Sequence, residues 1–253
     1  MTDSKNMKIS IIGLGAIGSF VAEKVQKDKT LKLAAVFDSD ENKLRKFNKK
    51  IAFSSFDKFL KVKTDLVVEA ASAEAVKKYA LQILKKNDLL ILSVAALADK
   101  NVVKKINSTA KKYKTKLFIP SGAIIGIDGI IAVKDLLDEV EIDTRKPPRG
   151  FGRDDKKETV LFEGSARKGV PKYPQNVNVA ATLSLAGIGF DKTKLRIVSD
   201  PAAKANQHTI RAKGSLGEFF IQVKALPSKN PKTSSLAAYS AFAKIKEIEK
   251  NRF

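Results

Sequence analysis

The first 120 residues alternate short apolar runs with amphipathic stretches. The apolar runs are rich in β-branched residues and are continuous rather than alternating, which is typical of strands buried on both faces. The stretches between them carry apolar residues at helical spacing, and strand–helix alternation of this kind predicts a parallel sheet covered by helices. The predicted strands are Lys8–Ile12, Leu33–Phe37, Leu66–Glu69, Leu89–Leu92 and Leu117–Ile119, and the predicted helices are 16–27, 41–49, 74–84 and 101–113.

The pattern changes after Pro120, where strands and helices no longer alternate regularly. The turn-rich, charged segment 147–157 predicts an exposed loop, and the apolar periodicity of Ser234–Glu249 predicts an amphipathic helix. Helices are also predicted at 128–137 and 177–186, and strands at 140–144 and 158–162, with three strands of an antiparallel sheet at 195–198, 209–212 and 218–223. We therefore predict an α+β second half.

Lysine and arginine together number 48 against 27 acidic residues, a net charge of +21. A basic surface of this size raises the possibility of a nucleic-acid partner. The lysines, however, are spread along the chain on the polar positions of helical patterns, and no zinc-finger spacing or RNP-type aromatic motif accompanies them. We expect a solvated, lysine-rich surface and no nucleic-acid partner.

The chain has no cysteine and one histidine, so disulfides, thiolate nucleophiles and cysteine-ligated metals are impossible. No acidic cluster has the spacing of a metal site, and we expect no metal. No stretch of 18 apolar residues is present, and the first residues lack the apolar run of a secretory signal. We expect a cytoplasmic protein with no membrane partner.

A glycine motif, Gly13-Leu14-Gly15-Ala16-Ile17-Gly18, follows the first predicted strand and opens the first helix. This context makes the GxGxxG pattern indicative of a dinucleotide site, because the free N–H groups of the helix start can bind a pyrophosphate. Asp38 ends the second strand, where a carboxylate accepts hydrogen bonds from ribose hydroxyls and favours NAD over NADP. Ser39, Lys43 and Arg45 lie close enough in sequence to soften that preference, so we predict use of NAD with NADP possible. A glycine turn without a nucleotide is the alternative.

Several longer strings together resemble the L-aspartate dehydrogenase family over nearly the whole chain and in the expected order. They are DLVVEAAS (65–72), LSVAALA (92–98), PSGAIIGID (120–128), TRKPP (144–148), LFEGSAR (161–167), NVNVAATLSLAG (176–187), DPAAKANQH (200–208) and NPKTS (230–234). The resemblance implies a Rossmann domain joined to a smaller α+β catalytic domain. We place the first at 1–120 and the second at 121–253, with the helix at about 233–250 as a candidate to pack back on the first. It also implies NAD(P)-dependent oxidation of L-aspartate to iminosuccinate, or the reverse amination, a homodimer, and a link to NAD biosynthesis.

The resemblance also assigns roles to individual residues. His208, the single histidine, stands where the family has its catalytic histidine, although a lone histidine without that context is more often structural. Two carboxylates on the substrate require cationic or N–H donors. The cofactor-binding candidates are Gly13, Gly15, Ala16, Ile17, Gly18, Asp38, Ala71, Ala123 and Asn178, and the substrate-binding candidates are Arg145, Lys146, Asn176, Arg167 and Ser121.

Some alternatives stay open at this point. Asn176 and Asn178 precede the helical run Val179–Ala186 and are explained equally well as N-caps and as ligand contacts. Ala95 and Ile125 stand where the family usually has glycine. The nearest rival function is another Rossmann oxidoreductase, of the homoserine-dehydrogenase or dihydrodipicolinate-reductase type. A rival of another class is a non-catalytic protein that senses NAD or binds nucleic acid.

Overall fold

The computed structural model describes residues 6–175, 177–225 and 234–251. The chain forms two compact units. The first comprises residues 1–93, 99–120 and 238–253, and the second comprises 94–98 and 121–237. Among the described residues, each unit contains one β-sheet.

The sheet of the first unit has six strands, all parallel, in the spatial order β3-β2-β1-β4-β5-β6. This is the doubly wound order of dinucleotide-binding domains, in which the order reverses beside the first strand. The strands are β1 Met7–Ile12, β2 Leu31–Phe37, β3 Ala52–Phe53, β4 Leu66–Glu69, β5 Asp88–Ile91 and β6 Leu117–Phe118. The predicted parallel sheet is confirmed.

Helices cover this sheet and supply its core. They are α1 Ala16–Lys27, α2 Glu41–Leu44, α3 Phe56–Phe59, α4 Ala73–Leu84, α5 Lys100–Tyr113 and, from the end of the chain, the helix Ser235–Lys250. The C-terminal helix belongs to the same core, because Ala241, Ile245 and Ile248 are buried in one cluster with Ile9 of β1 and Val21 of α1.

The helix predicted at 41–49 is wrong beyond Leu44. The side chain of Asn48 accepts a hydrogen bond from Lys50 N–H at 2.9 Å, and its carbonyl accepts one from Ile51 N–H at 3.0 Å. Such local side-chain bonds compete with helix continuation. The carbonyl of Ile51 then accepts from Val36 N–H at 2.7 Å, which draws the chain into β3.

The second unit has a five-stranded sheet in the order β11-β10-β7-β9-β8. Its strands are β7 Leu137–Lys146, β8 Thr159–Ser165, β9 Lys194–Ser199, β10 Asn206–Gly214 and β11 Gly217–Ala225. Its helices are α6 Ile127–Val133, α7 Ala166–Gly169 and α8 Asn178–Ala186, with 3₁₀ turns at Val94–Ala98, Lys134–Leu136, Pro148–Phe151 and Val170–Lys172. The C-terminal helix Ser235–Lys250 is α9.

This sheet is mixed, which corrects the prediction that β9, β10 and β11 are strands of an antiparallel sheet. β10 pairs antiparallel with both β7 and β11, but β9 runs parallel to β7. The connection from β7 to β9 passes through β8, α7 and α8, and a long connection of this kind permits parallel pairing. The helix predicted at 128–137 also ends earlier, at Val133, and the loop 147–157 contains a 3₁₀ turn. Within the described ranges, no helix has the length and apolar character needed to cross a membrane.

Candidate active site

The glycine turn between β1 and α1 is held by close packing at two of its three glycines. Gly13 has a φ of +87° and donates its N–H to the carbonyl of Phe37 at 2.8 Å; a Cβ on Gly13 would lie 2.6 Å from Cβ of Ala71. A Cβ on Gly18 would overlap the carbonyl oxygen of Gly13. A Cβ on Gly15, by contrast, would meet no heavy atom within 4 Å. The first and third glycines are therefore required by packing, while the second faces open space.

The start of α1 leaves its backbone donors available. Gly15 is the N-cap and has no side chain to bond the first turn, which begins with Ala16 and Ile17 and contains no acidic residue. The unbonded N–H groups and the helix dipole together favour an anion at this end. Open space at Gly15, beside free donors, fits the pyrophosphate of a dinucleotide.

Asp38 lies at the carboxyl end of β2 and is 7% exposed. Its Oδ2 accepts a hydrogen bond from Leu14 N–H at 2.7 Å, and its Oδ1 accepts one from Asp40 N–H at 2.9 Å. The Nζ of Lys43 lies 3.4 Å from both oxygens. The carboxylate of Asp38 thus links the glycine turn to the end of β2, and the ammonium group of Lys43 lies beside it.

Glu69, which was not among the predicted site residues, is fully buried at the end of β4. Its Oε1 accepts from Ala71 N–H at 2.8 Å, Ser72 N–H at 2.9 Å and Ser93 Oγ at 2.9 Å, and its Oε2 accepts from Ser93 N–H at 3.1 Å. Burial raises the pKa of the carboxyl, and these four donors oppose that rise. Glu69 holds the turn that packs against Gly13. The signal in the sequence was a single acidic residue closing an otherwise apolar strand.

In the second unit, His208 lies on β10, the strand between β7 and β11. It is 2% exposed, and its neighbours across the two ladders are Thr144 and Val223. Its Nδ1 is 3.1 Å from Oγ1 of Thr144. Burial, followed by the positive charge of Lys146, lowers the pKa of His208 to about 3. The imidazole is therefore neutral at physiological pH.

Lys146 shares the buried face of β7 with Thr144. Residues at alternate positions of this strand are buried, since side chains in a strand point alternately to its two faces. Lys146 is 3% exposed, its Nζ lies 5.9 Å from the centroid of the Phe151 ring, and burial lowers its pKa to about 8. The structure thus brings His208, Thr144 and Lys146 to one face of the sheet.

Arg145 points to the other face, as its position between Thr144 and Lys146 requires. Its guanidinium lies 2.5 Å from Glu158 and 2.8 Å from Asp200, and both carboxylates raise its pKa. Arg145 and His208 therefore lie on opposite faces of the sheet. The geometry does not support the predicted contact of Arg145 with the substrate.

Arg167, at the start of α7, is also engaged by protein groups. Its Nε and Nη2 bond both carboxylate oxygens of Asp191, at 2.9 and 3.1 Å, and its Nη1 donates to the carbonyl of Ala98. Its guanidinium carbon lies 4.9 Å from the ring centroid of Phe190. These contacts hold the 3₁₀ turn at 94–98 within the second unit, so the side chain of Arg167 has a structural role.

Asn178 is the first residue of α8, not its cap, because Val177 occupies the N-cap position. Its Oδ1 accepts a hydrogen bond from Ala95 N–H at 2.9 Å. Ala123 is buried in the turn before α6 and Ser121 is half-buried at its start, whereas Asn176 lies outside the described residues.

The parallel sheet, its glycine turn and a second unit with a buried histidine define the class: a two-domain NAD(P)-dependent oxidoreductase. Residues 13–120 match the family model described as "Homoserine dehydrogenase, NAD binding domain", and residues 128–248 match "Aspartate dehydrogenase, C-terminal". The L-aspartate dehydrogenase of Methanosarcina mazei is 41% identical, covering 96% of this chain and 97% of the relative. The chain belongs to the L-aspartate dehydrogenase family.

Solved structures give the same result. The aspartate dehydrogenase of Thermotoga maritima matches with a TM-score of 0.80 and 34% identity, over 96% of this chain and 97% of that one. The myo-inositol 2-dehydrogenase of Lactobacillus plantarum matches with a TM-score of 0.60 and 13% identity, over 98% of this chain and 89% of that one. The second likeness shows the fold alone. Because the rival oxidoreductase types would share the cofactor domain, the match over 128–248 is what separates them from this chain.

Proposed function

We propose that the protein catalyses NAD(P)-dependent oxidative deamination of L-aspartate at the face formed by His208, Thr144 and Lys146. The overall reaction removes a hydride from the α-carbon and a proton from the ammonium to give iminosuccinate, which water converts to oxaloacetate and ammonia. The observation that carries the assignment to this face is the burial of the only histidine beside a buried lysine, in a chain of this family.

The first unit would hold the cofactor. The N–H groups at Gly15, Ala16 and Ile17 would bind the pyrophosphate, with Gly18 keeping the helix close to the strand. Asp38 would accept hydrogen bonds from the ribose and disfavour a 2′-phosphate, whereas the adjacent Lys43 would attract one. When bound, NAD(P) supplies the hydride acceptor.

Other residues have predicted cofactor contacts as well. Ala71 borders the glycine turn, and Ala123 and Asn178 are assigned to the nicotinamide end by the family resemblance. We expect NAD to be preferred and NADP to be used. A preference for NADP above about a hundredfold, some 2.7 kcal/mol, would contradict the role given to Asp38.

His208 serves as the proton acceptor, for the ammonium of the substrate or for the water that adds to the imine. Burial keeps the imidazole neutral in the free enzyme, with a pKa of about 3. A bound dicarboxylate would bring negative charge to the same face, which favours the imidazolium and raises the pKa toward the range of an effective general base.

Lys146 is the cation that we assign to a substrate carboxylate. With a pKa of about 8 it is mostly protonated at neutral pH, and a carboxylate partner would stabilise that charge. Ser121 and Asn176 remain predicted substrate contacts. Arg145 and Arg167 are already paired with carboxylates of the protein, so we give them no direct part in binding.

The test is formation of NADH by the purified protein with L-aspartate, D-aspartate, homoserine and glutamate as separate substrates. We expect activity with L-aspartate alone. His208→Ala should lower kcat by about two orders of magnitude or more, the usual scale for a positioned base. Gln207→Asn is a matched control on the opposite face of β10 and should be close to wild type. Binding of NADH without turnover of any amino acid would refute the assigned reaction.

The proposal also includes a cytoplasmic homodimer and a role in supplying iminosuccinate for NAD biosynthesis, both from the family resemblance. Light scattering of the purified protein at several concentrations tests the first. Growth of a strain that lacks its own source of iminosuccinate, with and without this chain, tests the second.

A further inference from the structure

We infer that Thr144 is a positioning residue for the reaction: its hydroxyl oxygen accepts a hydrogen bond from Nδ1–H of His208 and thereby leaves the lone pair on Nε2. This inference deepens the proposed function, because it concerns how His208 is made a proton acceptor. Within the motif TRKPP, the family resemblance assigns roles to Arg145 and Lys146 alone, so Thr144 is a new member of the site.

The first step is the pairing itself. Thr144 and His208 are direct partners across the antiparallel ladder between β7 and β10, two strands in the middle of the sheet. Thr144 is completely buried and His208 is 2% exposed, so water does not compete for their hydrogen bond. The 3.1 Å separation of Oγ1 and Nδ1 is a normal hydrogen-bond length.

The second step is the tautomer. A neutral imidazole carries one proton, and the partner of one nitrogen decides which nitrogen keeps it. Among the described residues, the Nδ1 contact with Thr144 is the one side-chain hydrogen bond that His208 makes. A proton on Nδ1 leaves Nε2 as an acceptor, whereas a proton on Nε2 would make that nitrogen a donor that could not take a proton from the substrate. Neutral imidazole in water favours the Nε2–H form, so the protein must supply the bias.

The third step is that the ring stays neutral until substrate arrives. Lys146 lies two residues from Thr144 on the same face of β7, and its charge disfavours the imidazolium. The neighbour of His208 on β11 is the apolar Val223. A ring held neutral has two tautomers, and the hydroxyl of Thr144 lies at hydrogen-bond distance from Nδ1, where acceptance from Nδ1–H stabilises the tautomer with an unprotonated Nε2.

The single histidine makes this inference directly measurable. In protein labelled with ¹⁵N-histidine, the ring nitrogens of His208 give the side-chain signals without overlap from a second histidine, and their chemical shifts report which one is protonated. We expect Nδ1 protonated and Nε2 unprotonated in the wild type at neutral pH without substrate. Thr144→Val, which keeps the shape and removes the acceptor, should move the proton to Nε2. Thr144→Ser should restore the wild-type pattern.

The kinetic counterpart uses the same variants. Thr144→Val should lower kcat about tenfold, the order expected from one buried hydrogen bond, with KM for L-aspartate changed less than about twofold. Thr144→Ser should recover most of the activity. Thr209→Val, one residue beyond His208 and on the other face of β10, is the matched control and should leave both tautomer and kcat unchanged.

A wild-type spectrum with Nε2 protonated would overturn the inference, and so would an unchanged tautomer in Thr144→Val. The wild-type spectrum decides the point even if the valine variant fails to fold. Absence of any turnover with L-aspartate, in protein whose spectrum shows Nδ1 protonated, would instead refute the proposed function and leave the Thr144–His208 contact standing.

Discussion

Replacing the second and third glycines of the turn by alanine should separate cofactor binding from stability. A methyl group at Gly18 would overlap the backbone carbonyl of Gly13 and reach 3.4 Å from Cβ of Ala70. The second distance is an ordinary contact, but the overlap with the carbonyl cannot be relieved by rotating a side chain, so the start of α1 must shift. A methyl group at Gly15 meets nothing within 4 Å, and Gly15 has an ordinary φ of −68°.

The magnitudes follow from these contacts. Overpacking against backbone costs about 2–3 kcal/mol, so Gly18→Ala should lower Tm by about 5–10 °C in a chain of this size. Gly15→Ala loses the N-cap preference for glycine over alanine and gains about 0.4–1 kcal/mol from a less flexible unfolded chain, and since the two effects oppose each other its Tm should stay within about 2 °C of wild type. If the pyrophosphate approaches this backbone, the added methyl should weaken NADH binding by about tenfold or more, which corresponds to about 1.4 kcal/mol.

The assays are thermal unfolding followed by far-ultraviolet circular dichroism and NADH binding followed by the fluorescence of the nucleotide. The chain has no tryptophan, so protein emission interferes little. Gly129→Ala is a matched control, an exposed glycine inside α6 with open space around it, and should be neutral or slightly stabilising. Unchanged NADH affinity in Gly15→Ala would remove the turn from the cofactor site. Unchanged stability in Gly18→Ala would show that the packing argument is wrong.

Three further predictions concern buried ionisable groups. Lys146→Met should raise KM for L-aspartate at least about tenfold with NADH affinity nearly unchanged. The pKa of Lys146 is about 8 in the folded protein and 10.5 in the free side chain, so between these pH values the unfolded chain binds one proton more than the folded chain. The free energy of unfolding of the wild type should therefore rise by up to about 3 kcal/mol as the pH increases from 8 to 10.5. Denaturant titrations measure this rise, and Lys146→Met should lack it. The pKa of His208 is likewise lowered, from 6.5 to about 3, so the contribution of the neutral imidazole to stability is lost as the pH falls from 6.5 towards 3. The free energy of unfolding should therefore decline less steeply over that range in His208→Asn than in the wild type. Parallel pH dependences of the two proteins would contradict the assigned burial. Glu69→Ala leaves four donors unsatisfied and should lower the free energy of unfolding by about 2–4 kcal/mol and weaken NADH binding. Glu69→Gln should lie between this variant and the wild type. Equal stability of the two variants would contradict this account.

The fold of the first half could be predicted from periodicity because its central strands β1, β4 and β5 are buried on both faces and form nearly continuous apolar runs. The structure places β4 at Leu66–Glu69, as predicted, and α1 at Ala16–Lys27, also as predicted. The two-residue strand β3 was missed, since Ala52 and Phe53 form a strand only because Val36 of β2 binds the preceding carbonyl. Pairing of that kind is tertiary, and no local pattern encodes it.

Strand positions in the second half could be predicted, but strand order could not. Alternation along β7 and β10 identifies strands with one buried face, yet it does not say which strand lies next to which. The parallel pairing of β7 with β9 depends on where the long connection between them packs. β9 pairs with β7 and β8 rather than with β10, so the antiparallel pairing predicted for this part of the chain holds for β10 and β11 but not for β9 and β10.

For the residues of the candidate site, the family resemblance and the alternation of side chains along a strand lead to different assignments. A string such as TRKPP presents Arg145 and Lys146 as equivalent cations, but adjacent residues in a strand must point to opposite faces of the sheet. Only Lys146 can share a face with His208, and by the same alternation Thr144 shares it as well. The partners of Arg145, Glu158 and Asp200, belong to other parts of the chain, so the sequence alone could not show that this cation was already neutralised. Period-two alternation shows that Arg145 and Lys146 cannot both face His208, and the register that pairs Thr144 with His208 places Thr144 and Lys146 on the face of the histidine.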